Sequence, residues 1–210
     1  SRDWTLLTKN TINLTDNHKT GNRLQERFQL GTAYRQVDRN RWDALTKIEY
    51  KMEEDNSTVS NLIERDAYIF SSHINYHPVR RWTFANQLAA KWFTDTHEQL
   101  TSTSTTYLVG FRAIHDLTER WEASLQTGWL SGDSGGKRFV LGAETGYLVT
   151  TNLWLSLGYN WLSYEDADIV GSDFTVDGLY LRMRFKFDED LFKADKPSIN
   201  KTLEPNNVSL

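Results

Sequence analysis

The chain has 210 residues, 39% of them hydrophobic and 25% charged, with a mean hydropathy of −0.60. That polarity excludes a bundle of membrane-spanning helices, which needs runs of about 20 apolar residues, but it suits a membrane barrel in which only alternate residues meet lipid. The absence of cysteine removes disulfides and thiolate metal sites, and a net charge of −4 with a pI near 5.7 gives no reason to expect nucleic acid.

Tryptophan sets the frame of the chain. Trp4, Trp42, Trp82, Trp121 and Trp154 recur at intervals of roughly 40 residues, and Arg41, Arg81 and Arg120 directly precede the middle ones. A propeller blade repeats at about 40 to 45 residues but needs four short strands in that length. Here each repeat reads as a pair of long strands. In chain order the predicted strands are Asp3–Thr15, Arg23–Gln36, Trp42–Glu54, Arg65–His77, Trp82–Thr94, Thr103–His115, Trp121–Leu130, Arg138–Val149, Leu153–Tyr164 and Thr175–Asp188. The last shows the pattern best: Leu179, Leu181, Met183, Phe185 and Phe187 alternate with Tyr180, Arg182, Arg184 and Lys186. Strict alternation is the mark of a strand with two different environments on its faces. The uncharged stretch from Thr145 to Tyr164 contains Glu-free polar breaks at Thr150, Thr151 and Asn152 and alternates throughout, so it reads as a hairpin rather than a spanning helix.

Two arguments assign the apolar face to lipid. Aromatic residues bracket a small or aliphatic centre, as in Trp82–Trp92 and Trp121–Trp129, and Trp and Tyr favour the headgroup level; Trp4, Trp42, Trp82, Trp92, Trp121, Trp129 and Trp161 are the predicted girdle residues. The opposite face carries charges at mid-strand that a dry soluble core could not accept. Projecting that face inward collects Lys9, Arg27, Arg35, Lys47, Lys51, Lys91, Arg112, Arg182, Arg184 and Lys186 with Asp43, Glu49, Glu53, Glu122 and Glu144. From these, Lys47, Glu49, Lys51, Arg112, Glu122, Glu144, Arg182, Arg184 and Lys186 form the predicted lumen charge network. The fold class expected is therefore all-β: a transmembrane up-and-down antiparallel barrel of about ten strands, an even number as single-chain bacterial barrels usually require.

Residues 1–192 are assigned to the barrel and 193–210 to a flexible periplasmic tail, because Lys193 to Leu210 contains Pro197 and Pro205 and little periodicity. The connections before the Trp-led strands are short (Gln36–Arg41, Pro78–Arg81, Asp116–Arg120), while Asp16–Asn22, Asp55–Glu64, Asp95–Ser102 and Glu165–Phe174 are mostly longer. Short turns belong to the periplasmic side, which puts both termini in the periplasm of an outer membrane. A first strand starting within three residues of Ser1 points to a longer precursor.

The Arg-Trp strand starts, the run from Gly178 to Phe192 and the segment from Tyr107 to Trp121 resemble the C-terminal outer-membrane barrel of large proteobacterial surface proteins. The likeness covers most of residues 100–192 and is one of texture. It implies a membrane anchor or docking component, with lipid, other envelope proteins or an upstream part of the same chain as partners. One departure is that outer-membrane barrels tend to end at a terminal aromatic, whereas this chain continues past Phe192. No metal or cofactor is expected.

Two other functions compete. A basic stripe of Arg182, Arg184 and Lys186 suits a small anion-preferring channel, since rings of Arg or Lys select anions. An outer-membrane hydrolase, omptin-like or deacylase-like, could use Ser71 and His73, two apart on one face of a strand, or loop residues such as His18, His97, Asp95 and Glu98. Nothing in the sequence visibly orients the Ser-His pair, and a lone Ser-X-His in a strand is usually structural.

Overall fold

The computed structural model describes residues 2–17, 21–58, 61–97, 100–133, 137–150, 152–162 and 177–185. They form ten strands and no helix: β1 (Trp4–Asn17), β2 (Gly21–Arg35), β3 (Trp42–Thr58), β4 (Asn61–Val79), β5 (Trp82–His97), β6 (Leu100–Asp116), β7 (Trp121–Gly132), β8 (Lys137–Thr150), β9 (Leu153–Leu162) and β10 (Gly178–Phe185). Each strand pairs antiparallel with the next, giving one up-and-down sheet in sequence order. The tail and Lys186 lie outside the described residues.

Register carries the alternation from strand to strand. Ile48 on β3 faces Leu30 on β2 and Phe70 on β4, while its neighbour Glu49 faces Gln29 and Ile69. Apolar parity meets apolar parity through every ladder, so the sheet has one apolar and one polar face. The apolar face is the open one: Leu181 is 74% exposed and Leu179 71%. On the other face Glu49 is fully buried, and buried polar residues outnumber buried apolar ones among the described residues. A water-soluble sheet does the reverse. The inner apolar residues gather on one wall, where Ala89, Leu108, Leu130 and Val140 pack together.

The sheet is curled about that polar face, since His73 on β4 and Arg182 on β10 line one cavity of about 220 Å³. It is not a closed ring. Among the described residues β1 pairs with β2 alone and β10 with β9 alone, which corrects the expectation of a completed barrel.

Successive hairpins are displaced by a constant step. Trp4 faces Tyr34, which faces Ala44, two residues past Trp42. Trp42 faces Tyr76, which faces Phe84, two past Trp82; Trp82 faces His115, which faces Ala123, two past Trp121. Trp121, Tyr147 and Leu155 repeat it, with Leu155 two past Leu153. Such a stagger tilts strands in a curled sheet.

Strand boundaries differ from the sequence reading at one end. β3 runs to Thr58 and β4 starts at Asn61, where a loop from Asp55 to Glu64 was expected; β5 and β6 close similarly at His97 and Leu100. These stretches lack a regular alternation of polar and apolar residues, so they read as loops. At the other end the expected tight turns are present, and Asn40 adopts φ 47° between β2 and β3, the left-handed region that Asn tolerates.

Glycines make room for inward side chains. A Cβ at Gly158 would collide with the Tyr180 ring, and one at Gly146 with the Trp154 indole, whereas at Gly110 it would sit 3.4 Å from the Gln87 Cβ. Gly158→Ala should therefore lower stability by about 1–3 kcal/mol through overpacking. Gly110→Ala should stay within about 0.5 kcal/mol, both read from urea midpoints of detergent-folded protein; equal midpoints would remove the packing role given to Tyr180.

Candidate functional site

The inward face assembles two charge clusters. The first is centred on β3, where Lys47, Glu49 and Lys51 share a face because the pleat repeats every second residue. Glu49 is fully buried between β2 and β4, and a buried carboxylate needs compensation. Arg27 Nε on β2 is 2.5 Å from its Oε1, Lys47 Nζ is 2.7 Å from its Oε2, and Gln29 Nε2 donates to Oε2 at 2.9 Å. Lys51 Nζ stands 3.7 Å from Oε1.

The second cluster is centred on Glu144 of β8. Arg112 on β6 donates to its Oε2 at 3.1 Å and to Ser124 Oγ on β7 at 2.9 Å. From β10 the Tyr180 hydroxyl donates to the same Oε2 at 2.8 Å, and Arg182 lies 3.7 Å away. Tyr180 reaches across β9 because the residue between them is Gly158, which faces Glu144 on one side and Tyr180 on the other. The same device recurs at Gly142, over which Gln126 Nε2 donates to Asn160 Oδ1 at 2.9 Å. Glu122 and Arg184 flank this cluster. Glu122 is in electrostatic reach of Arg112 and Arg184, and the Arg184 guanidinium lies 4.6 Å from the Trp154 ring centroid, a cation–π stack.

Smaller networks cap the two ends. Arg23 pairs with Glu53 at 2.6 Å and Arg65 with Asp95 at 3.4 Å at the end where β3–β6 are long. At the short-turn end Asp43 accepts from Asn75 at 2.7 Å and lies 3.2 Å from His77.

The structure thus brings the predicted network together as two sets: Lys47, Glu49 and Lys51 on one wall, and Arg112, Glu144 and Arg182 with Glu122 and Arg184 on the other. Alternation sets Arg27 on the inward face but does not name Glu49 as its partner. Gln29, Ser124 and Tyr180 were missed, since uncharged residues on an inward face carry no signal of which carboxylate they serve. Ser71 and His73 do share the inward face and line a cavity of about 350 Å³ with Lys9 and Lys47. His97 and Asp95 end β5, whereas His18 and Glu98 lie outside the described residues. Among the described residues no group of three His, Asp or Glu is placed to hold a metal ion.

The predicted girdle residues all fall on the outer face, in two rows. At the short-turn end, Trp4 packs on Tyr34 (ring centroids 4.8 Å apart), Trp42 on Tyr76 (4.2 Å), Trp82 on His115 (4.3 Å) and Trp121 on Tyr147 (4.7 Å). Trp154 is the exception among the repeating tryptophans: it is the second residue of β9, faces inward and is buried, and Leu153 takes the outer place. The other row holds Tyr50, Tyr68, Trp92, Trp129, Phe139 and Trp161. From Trp42 through Tyr50, or Trp121 through Trp129, is about nine residues, the length of a tilted strand crossing a bilayer. Polar groups inside this band pair locally, as Thr46 and Ser72 do through their hydroxyls at 3.0 Å.

No family model, curated protein or solved structure matches the chain.

Glu49 tests the first cluster. Glu49→Gln leaves Arg27 and Lys47 without their carboxylate and should cost about 1–3 kcal/mol, below the range for wholly buried pairs because the Arg27 side chain is 42% exposed and can rehydrate. Glu49→Leu combined with Arg27→Met should recover most of the loss. Equal destabilisation by the single and double variants, in urea titrations, would remove the pairing.

Proposed function

We propose that the chain is a bacterial outer-membrane β-barrel that anchors or docks a larger surface or envelope assembly, with an interior closed by its own side chains. The observation that carries this reading is the outer face: an exposed apolar band bounded by two aromatic rows about nine residues apart, matching the outward belt and paired girdles of membrane barrels. Past the second row the outer face turns polar, with Glu54, Glu64, Asp66, Thr94 and Thr103. A face that switches from apolar to charged along continuous strands fits strands that leave a lipid layer and enter water. Closure of the ring through β1 and β10 belongs to the same proposal, because unpaired backbone groups are not tolerated against hydrocarbon.

The interior argues for anchoring rather than transport. Glu49 is held by Arg27 of β2 and Lys47 of its own strand and Glu144 by Arg112 of β6, and the Ala89–Leu108–Leu130–Val140 cluster adds an apolar patch to one wall. Balanced pairs and an apolar plug obstruct an ion path, whereas selective pores expose a ring of one sign. The sequence resemblance to barrels that end large surface proteins agrees with an anchoring task.

Two measurements test the reading. With Leu181→Arg, a charge placed mid-band should cost about 2–4 kcal/mol, while Thr103→Arg, on the same face but past the aromatic row, should change stability by less than about 0.5 kcal/mol. Protein that is monodisperse without detergent and equally tolerant of both would sink the membrane assignment. In planar bilayers the protein should give no steady conductance. Stable anion-selective currents that fall with Arg182→Gln and Arg184→Gln would make it a channel instead.

A further inference from the structure

The short turns carry a repeated feature that the barrel itself does not use. Arg41, Arg81 and Arg120 each sit one residue before a girdle Trp, and their carbonyl oxygens accept from His77, Asp116 and Leu148 at 2.8, 2.9 and 2.8 Å. They therefore occupy the same rung of three successive hairpins, just below the stacked pairs of the aromatic row. All three are exposed. Arg120 shows where such a side chain goes: its Nη1 lies 3.5 Å from the hydroxyl of Tyr147, which belongs to the outer row. By contrast Arg80, one residue earlier, is tied to Glu119 of the neighbouring turn at 2.9 Å. Among the described residues neither Arg41 nor Arg81 has an ion-pair partner.

Two further observations say what such a ring faces. The turns that hold these arginines also expose Val37, Val79 and Leu117, at 45%, 59% and 51%. Apolar groups beside exposed guanidinium groups and indoles make an interfacial surface, in which the stem lies along the apolar boundary and the charge stays at headgroup depth. The opposite end of the outer face is acidic, with Glu26, Glu54 and Asp66 beyond the Tyr50–Tyr68 row. The outer face thus carries carboxylates beyond the Tyr50–Tyr68 row and guanidinium groups beside the tryptophans, where the tight turns also hold Asp38 and Glu119.

The geometry points to a ring of anionic-phospholipid sites at the short-turn end, where Arg41, Arg81 and Arg120 bind headgroup phosphates of the leaflet that surrounds the Trp row. This rests on the membrane reading proposed above and adds lipid selectivity and a fixed orientation to it. Guanidinium suits a phosphate because it offers two parallel N–H donors to two oxygens. A basic residue near an anionic surface contributes about a fivefold gain in binding.

The test uses the full chain folded into vesicles of phosphatidylcholine alone and with 20–30% phosphatidylglycerol, roughly the range in which surface charge is felt. Insertion is read from protease protection, and bound lipid is read by native mass spectrometry after extraction. Wild type should insert in both and retain phosphatidylglycerol in preference to phosphatidylcholine. The triple variant R41Q/R81Q/R120Q should still insert but lose most of that preference, and R41K/R81K/R120K should keep part of it. Insertion with the same lipid ratio in wild type and the triple glutamine variant overturns the ring while leaving the barrel intact. Failure to insert into either vesicle overturns the membrane reading beneath it. Binding of wild type to purified peptidoglycan, lost in R41Q/R81Q/R120Q without any phosphatidylglycerol preference, would assign the arginines to that polymer and reject the lipid site.

Discussion

A wall one sheet thick gives a side chain only two destinations, and the pleat decides for every second residue at once. Everything else in this molecule depends on that parity being kept. Nine ladders carry it from β1 to β10; the irregularities at Asp55–Thr58, Tyr76–Val79 and Leu148–Thr150 fall at hairpin ends, and a fourth, between Leu141 and Gly142 of β8, leaves Trp161 outside the β8–β9 ladder. A one-residue slip would turn Glu49 to the outer face and Ile48 to the inner one. No partial accommodation exists, since a carboxylate with three cationic neighbours cannot be traded for an isoleucine. The charge clusters are thus less a source of stability than a check on register: each closes only when strands are paired as observed.

Much of the fold was legible in the sequence because the stretch of each strand between the two aromatic rows alternates. Strand number, order and the face of every predicted girdle and network residue among those described followed from alternation. Two things did not. The continuation of β3–β6 was hidden because Asp55, Asn56, Ser57 and Thr58 are a polar run without alternation and read as a loop. Trp154 shares the spacing of the outer tryptophans, but its phase opposite Leu153 in the alternation of β9 sets it on the inner face, where the structure has it; period along the chain and parity across the sheet are separate signals, and parity wins. The partners of Glu144 were hidden too. Tyr180 reaches it only because position 158 is glycine, and a glycine that matters through the side chain it lets pass looks in sequence like any other.

Ring closure, by contrast, is not a property of any one strand. Alternation in β1 and β10 says which residues point outward but nothing about whether the two edges meet. That requires curvature and tilt summed over all ten strands, quantities to which each hairpin adds a small part. The sheet curls enough to set β4 and β10 on a common cavity, while its edges stay separate among the described residues.

The two-residue step between hairpins has a mechanical consequence. An offset that never reverses behaves like the pitch of a screw: it cannot cancel around a circuit, and the last seam must absorb one more step. In the closed ring proposed above, the same step carried from Leu153 and Phe185 onto β1 would set Phe185 beside Leu6 on the outer wall and, by parity, Arg182 beside Lys9 on the inner wall. Two cations directly opposed weaken a ladder, so this join is the line along which the cylinder would unzip first under tension. The long, continuously paired strands from β2 to β6 lie on the side of the wall away from that seam.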